Sequence, residues 1–426
     1  MVSIASELGI VHVKQSSNPR DVLLLYASRV VRMIAFGAIA PILVLHLRSL
    51  SFSDTQVGSF LSLTLVGDVL LSLLVTFVPL LLAAVVGVVS PTGNEVGPFS
   101  AVEVGILSQL VESNARVFLL MHHSVLGFTG ASIGALLSGW LVTFLVNRGR
   151  DTVKAYQAVY LVYTVAAVLK VALSLAMSAA CELEHSLKHS PSQGDADERR
   201  PLLASNGAAD ESPSQHAQSV ADTVLSPSDE IARPPLPLVR LTVLCLIFSL
   251  DAFASSVLPQ SFISYYLRIR FNAPIGVVAT TFSVGSLVGG LSQLAAGAIA
   301  RRLGIILTMV GTHIPAQLFT IAIAFAPNLA TALTLFLARA TIASMDAGVR
   351  GAFLSAIIPP ETRTRFLGIV NVCKTLASAP GPTLSGQLAQ WGLLRWSFAI
   401  CGGLKIICRS HDIGLLVGFL EHKLQH

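Results

Sequence analysis

The chain has 426 residues, of which 53% are hydrophobic and only 12% are charged, with a formal net charge of +5. So few charges cannot cover the surface of a soluble globular protein of this size, which excludes that class. Apolar runs repeatedly exceed the about 18 residues that mark a transmembrane helix, so the composition predicts a polytopic membrane protein. The basic residues cluster at the ends of these runs, which favours contact with anionic lipid headgroups over binding of nucleic acid.

Residues 1–20 are polar and end in Asn18-Pro19-Arg20. No cleavable signal is expected there, and the first span acts as its own insertion signal. Spans are predicted at 22–45, 57–78, 122–146 and 156–178. The run Pro79–Ser90 followed by Pro91-Thr-Gly-Asn-Glu-Val-Gly-Pro98 is the core of a further span, fused to the preceding one at Val78–Pro79. Residues 181–237 hold Ser, Pro, Asp, Glu, Gln, His and Arg without apolar periodicity, a composition that predicts a disordered cytosolic central loop. Six spans follow, at 238–262, 274–299, 304–326, 329–350, 366–390 and 396–420. The last is interrupted by Cys408-Arg409-Ser-His411-Asp412, whose charges predict a broken or shortened helix. The expected organisation is therefore a bundle over 1–180, a loop over 181–237 and a second bundle over 238–426, with eleven spans in all.

The two bundles repeat each other. Pro41 pairs with Pro259, Gly58 with Gly276 and Gly67 with Gly285, each 218 residues on. Glu95 pairs with Asp346, Gly97 with Gly348 and Trp140 with Trp391, each 251 residues on. Glu112 and Arg116 pair with Glu361 and Arg365. The offset grows by 33 residues between Gly67 and Glu95, about one span and its loop. The first half has lost its third span, through a splicing or gene-model difference or as a natural isoform. With one span gone, either residues 57–110 cross once as an overlong segment or everything after them inverts.

Two halves joined by a long polar loop resemble the major facilitator superfamily of secondary transporters. Gly297-Ala-Ile-Ala-Arg301-Arg302-Leu-Gly304 is similar to that family's Gly-x-x-x-Asp-Arg-x-Gly loop, with Ala300 where an acid often sits. Pro359-Pro-Glu361-Thr-Arg363-Thr-Arg365 followed by Gly368 resembles its basic loop before the eleventh helix. Gly381-Pro382 with Gly386 loosely resembles a helix motif of drug-efflux members. The family's loop between the second and third helices has no counterpart. The resemblance implies an all-α membrane protein of two pseudo-symmetric bundles, alternating access, and Arg116, Arg301, Arg302, Gly304, Glu361 and Arg365 as conformational loop charges. Read without the resemblance, the same basic residues obey the positive-inside rule.

Charges inside spans are the candidates for chemistry. Arg29 and Arg32 lie three apart in the first span. Snorkelling to the interface suits Arg29, whereas Arg32 lies over a turn deeper and is a cavity candidate. Asp251 sits mid-span, where an unpaired carboxylate tends to bind a proton, or else makes a structural hydrogen bond. Asp346 and Arg350 are four apart and can pair on one helix face, with Glu95 in the matching place of the first half. Lys170 and Lys405 share a local context, Val-Leu-Lys-Val and Gly-Leu-Lys-Ile, and each needs a carboxylate partner. Glu103 and Asp68 are weaker candidates. Gly130-Ala-Ser132-Ile-Gly134 matches a nucleophile-elbow pattern, but in an apolar helix it reads as small-residue packing, so no enzyme is expected. No P-loop and no metal-ligand spacing occur, so no cofactor is expected.

The predicted function is proton-coupled secondary transport of a small molecule by a monomer with cytosolic termini, export being the commoner theme of the resemblance. The rival is a non-transporting or defective membrane protein. Glu198-Arg-Arg-Pro-Leu202-Leu203 fits an acidic dileucine sorting pattern, so the expected location is the plasma membrane or a vacuole- or lysosome-like membrane.

Overall fold

The computed structural model describes residues 18–74, 113–178, 238–303, 305–345 and 372–408, with positions 103, 106, 107, 110, 181 and 370. All regular structure among them is helical. The first half contributes α1 (Pro19–Ile39), α2 (Leu43–Ser49), α3 (Asp54–Leu74), α4 (Ser113–Asn147) and α5 (Thr152–Leu175). The second contributes α6 (Leu238–Val257), α7 (Gln260–Phe271), α8 (Ile275–Leu303), α9 (Ile305–Ala324), α10 (Leu329–Ala343) and α11 (Pro380–Gln390), with further helical stretches at 372–378 and 395–408. Five helical segments among the described residues are long and apolar enough to cross a membrane.

The first span of each half is broken at its proline. Pro41 lies in the turn between α1 and α2, and Pro259 precedes α7 in extended conformation. Proline lacks the N–H an unbroken helix needs and crowds the carbonyl four residues back. Each of the expected spans 22–45 and 238–262 is therefore two helices, hinged at repeat-related positions. Other boundaries move too. α8 runs through Arg301 and Arg302 to Leu303, so the basic pair occupies a helix end rather than a separate loop. α10 begins under an Asn328 cap, whose Oδ1 accepts from the Thr331 N–H at 2.9 Å, and ends at Ala343, well before the expected 350.

Small residues set the packing. α4 is held between α1 on one face and α8 on the other. Against α1, a methyl added at Gly130 would strike Val30, and one at Gly134 would strike Ile34 and Ala38. Against α8, one added at Gly139 would strike Ala279. The Gly-x-Ser-x-Gly run is thus a close-approach surface, as helices in lipid use where no water drives them together. The same contacts fix direction. Tyr26 lies by Leu119, Arg29 by Gly127 and Ala38 by Gly134, so α1 and α4 run parallel.

The second contact between halves joins α3 to α11. Gly58 abuts Pro382 and Gly386, while its repeat partner Gly276, on α8, faces Thr143 of α4. Both repeat-related glycines therefore sit where one half meets the other. Trp140 and Trp391, also repeat partners, are both turned outward, at 61% and 62% exposure.

Candidate functional site

Three groups of polar residues stand out against this apolar frame. The first lies within the first half. Arg32 of α1 makes a two-pronged contact with Glu103, at 2.6 Å and 3.3 Å. His123 of α4 approaches the same carboxylate at 3.4 Å. Lys170 of α5 lies within electrostatic range of Glu103. Glu103 and His123 are buried, and Arg32 keeps 18% of its side chain accessible. The snorkelling expected of Arg29 does not occur. Its side chain is 3% exposed and lies along Gly127 of α4, because the missing side chain there opens a slot.

The second group lies within the other half. Asp251 of α6 faces Lys405 at 3.8 Å. It is therefore not the unpaired carboxylate expected, since a lysine from the final helical stretch reaches it. Arg339 of α10 donates through Nε to Thr320 Oγ1 of α9 at 2.9 Å. Cys401 lies within electrostatic range of Lys405, Arg339 and Asp251. The lysines that sequence could pair only with each other thus face one carboxylate in each half.

The third group ties the halves together at the end where α2 stops and α3 starts. Asp54 accepts from the Tyr265 hydroxyl of α7 at 2.9 Å and pairs with Arg48 of α2 at 3.0 Å. Its backbone N–H donates to Gln390 Oε1 at 3.2 Å. Thr55 donates to Gln387 at 3.4 Å, and the Thr383 hydroxyl lies 2.6 Å from that of Ser62. The larger apolar core sits at this same end and runs through both halves, from Ile39 and Val57 to Phe262, Phe282 and Phe398. At the opposite end of α1, the described core cluster belongs to the first half alone, around Val22, Leu25, Leu107 and Leu119. Midway, Ser132 and Ser283 share a hydrogen bond of 2.8 Å between α4 and α8. Toward the Val22 end, Ser124 donates to Gln293 at 2.9 Å.

Among the sequence-predicted residues, Arg32 falls into the first polar group and Asp251 into the second. Arg302 is exposed on the last turn of α8, and the backbones of Arg116 and Arg301 lie at helix ends. Glu95, Asp346, Arg350, Gly304, Glu361, Arg365, Glu198, Leu202 and Leu203 lie outside the described residues. His123, Arg339, Arg48, Asp54 and Tyr265 carry no recognisable motif. A charge within an apolar run was the only available signal, and it would have found Arg339.

A family model described as Major Facilitator Superfamily matches residues 93–348. Uncharacterized membrane protein YJR124C of Saccharomyces cerevisiae is 27% identical over 437 residues, covering 93% of this chain and 94% of its own length. That alignment is longer than the about 396 residues this share of the chain supplies, so the relative carries internal residues that the chain lacks. Among solved structures, the fold is similar to a D-xylose-proton symporter, with TM-score 0.60 and 14% identity over 92% of this chain and 96% of that one. It is also similar to a bacterial homologue of the human lysosomal transporter Spinster in an inward-facing, occupied conformation. There the TM-score is 0.55, with 14% identity over 91% of this chain and 94% of that one.

Proposed function

The chain belongs to the major facilitator superfamily, and from that premise we propose that its fold serves proton-coupled secondary transport of a small molecule by alternating access. The observation that carries this reading is the asymmetry between the two ends. The halves are sealed around Asp54 and Tyr265 at one end, while at the other the described core cluster stays within one half. Such an arrangement is one of the two states that alternating access requires. With cytosolic termini, the sealed end faces away from the cytosol and the protein opens inward. The hinges at Pro41 and Pro259 let α2 and α7 carry Arg48 and Tyr265 away from Asp54 while α1 and α6 stay packed.

The two intramembrane carboxylates supply the coupling. Glu103 and Asp251 each face cations from other helices, so binding a proton releases those cations and changes how the helices are held. Asp251→Asn removes proton-driven flux in reconstituted vesicles while leaving exchange of substrate down its own gradient. Flux with unchanged pH dependence in that variant sinks the assignment. Export by antiport, and delivery to an acidic compartment through Glu198, Leu202 and Leu203, complete the reading.

A second reading is favoured by the 33-residue shift between Gly67 and Glu95. In it, the chain as written is a non-transporting product of a twelve-span transporter. Sequencing the transcript across the codons for Val78 and Pro79 separates the two, because about 33 extra codons identify the transporting form.

A further inference from the structure

The seal around Asp54 depends on α2, a helix of only seven residues between the break at Pro41 and the turn before α3. So short a helix has little stability of its own and keeps its place through what its side chains touch. Arg48 pairs with Asp54 at 3.0 Å. His46, two residues earlier, packs on α5 instead. Its ring meets Tyr156 edge-on, with centroids 5.9 Å apart, and lies tilted against Tyr160 at 5.3 Å. It stands just beyond the predicted span 22–45 and is 7% exposed.

These surroundings suit a neutral imidazole. The Nδ1 atom is buried and makes no hydrogen bond among the described residues. The charged ring carries an N–H on both nitrogens, so protonation obliges Nδ1 to donate where nothing accepts, and it places a charge in an apolar contact. The titratable and charged groups turned toward this place are Tyr156 and Tyr160 of α5, Tyr265 and Arg268 of α7, Asp54 of α3 and Arg48 of α2 itself. Asp54 is the one described carboxylate among them, and Arg48 and Tyr265 already engage it. Burial therefore holds the His46 imidazole below its ordinary value, and no carboxylate raises it.

The sign of the pH effect follows. When α2 swings out, the ring reaches water and regains its ordinary affinity for a proton, near pH 6.5. Above that pH the ring is neutral in both states, and the proton favours neither. Below it the released state binds a proton that the packed state refuses, so acid favours release.

We propose that His46 makes the seal a proton-sensitive gate, shut while the neutral ring packs on Tyr156 and Tyr160 and released with α2 when acid on the sealed side protonates it. This deepens the transport reading and rests on it for the role of the seal as a gate.

The test is hydrogen–deuterium exchange on the purified full chain in nanodiscs at pH 7.5 and 5.5, with each rate divided by the intrinsic rate at that pH. Protection then follows the population of the released state. The expected result is up to about tenfold less protection of the amides of 43–49 and 54–58 at pH 5.5, with α4 unchanged. His46→Phe keeps a ring against the two tyrosines and cannot titrate, so its protection is the same at both pH values. Where that variant does not accumulate, His46→Gln serves, since it cannot titrate either. A pH response that persists in the variant overturns the proposal. So does a wild type indifferent to pH, or a loss of protection that α4 shares, which is general acid unfolding. Flux in reconstituted vesicles reports transport separately. A seal that opens through His46 without flux keeps the gate and removes the transport reading, whereas flux with a seal indifferent to pH does the reverse.

Discussion

Glu103 is the residue on which the interior of the first half turns. Arg32 grips it with two donors, His123 approaches it and Lys170 adds its field. A carboxylate in hydrocarbon survives only in such company. Removing it alone strands the arginine. Glu103→Gln is expected to destabilise the protein by about 3–5 kcal/mol, the cost of leaving one partner of a buried pair uncompensated. The double variant Arg32→Gln with Glu103→Gln recovers much of that loss, because the orphaned charge goes too. Thermal unfolding midpoints of the four proteins in one detergent decide it. If the double variant is as damaged as the sum of the singles, Arg32 and Glu103 do not act as a pair. Neither residue announced the other. They stand 71 positions apart, and one sequence cannot say which faces of which helices meet.

Packing between elements depends on what is missing from glycines. Gly134 lies so close to Ile34 and Ala38 that even a methyl group overlaps their backbone, whereas Gly311 of α9 has open space around it. Gly134→Leu therefore forces α1 off α4 and costs about 1–3 kcal/mol or more, while Gly311→Leu, facing no neighbour, leaves the unfolding midpoint near its starting value. Equal midpoints for the two variants would remove close approach as the basis of the α1–α4 contact. At this scale the sequence was most informative. The prolines at 41 and 259 and the glycines at 58 and 276 were legible as repeat pairs, because duplication preserves geometry that must recur, but the spans 22–45 and 238–262 were expected unbroken, and the breaks and the contacts between halves emerged only from the structure. It was least informative where the repeat is asymmetric. Asp54 has Asn272 as its counterpart, so the seal with Tyr265 and Arg48 exists once and leaves no echo to read.

The whole molecule keeps a complete transporter's orientation despite the shortened first half. α3 leaves the sealed end, where Asp54 sits. From Glu103 beside Arg32 to Leu110 beside Val22, the chain also runs away from that end. α4 then climbs parallel to α1. Of the two expectations for the shortened half, inversion of everything after residues 57–110 is not met, since α4 and α5 stand as they would in a twelve-span protein, and the number of crossings within 57–110 falls on residues outside the described ones. α5 is the least covered of the described spans. Only 11% of its apolar window is buried, against 50% for α1 and α4, and Leu161, Val165 and Val168 are each about two-thirds exposed. In the second half the equivalent place is filled, because Gln317 and Ile321 of α9 press against Gly402. Inserting a copy of residues 297–329 between Val78 and Pro79 should supply the missing neighbour. The extended protein is expected to unfold at a higher temperature, because the copy buries apolar surface of α5 that now faces lipid and adds small-residue contacts. A cysteine placed at Arg150, between α4 and α5, should react with a membrane-impermeant thiol reagent from the same side in the original and extended chains. Labelling from opposite sides would mean that the shortened chain inverts after α3, and that the contact of α4 with α8 does not form in it.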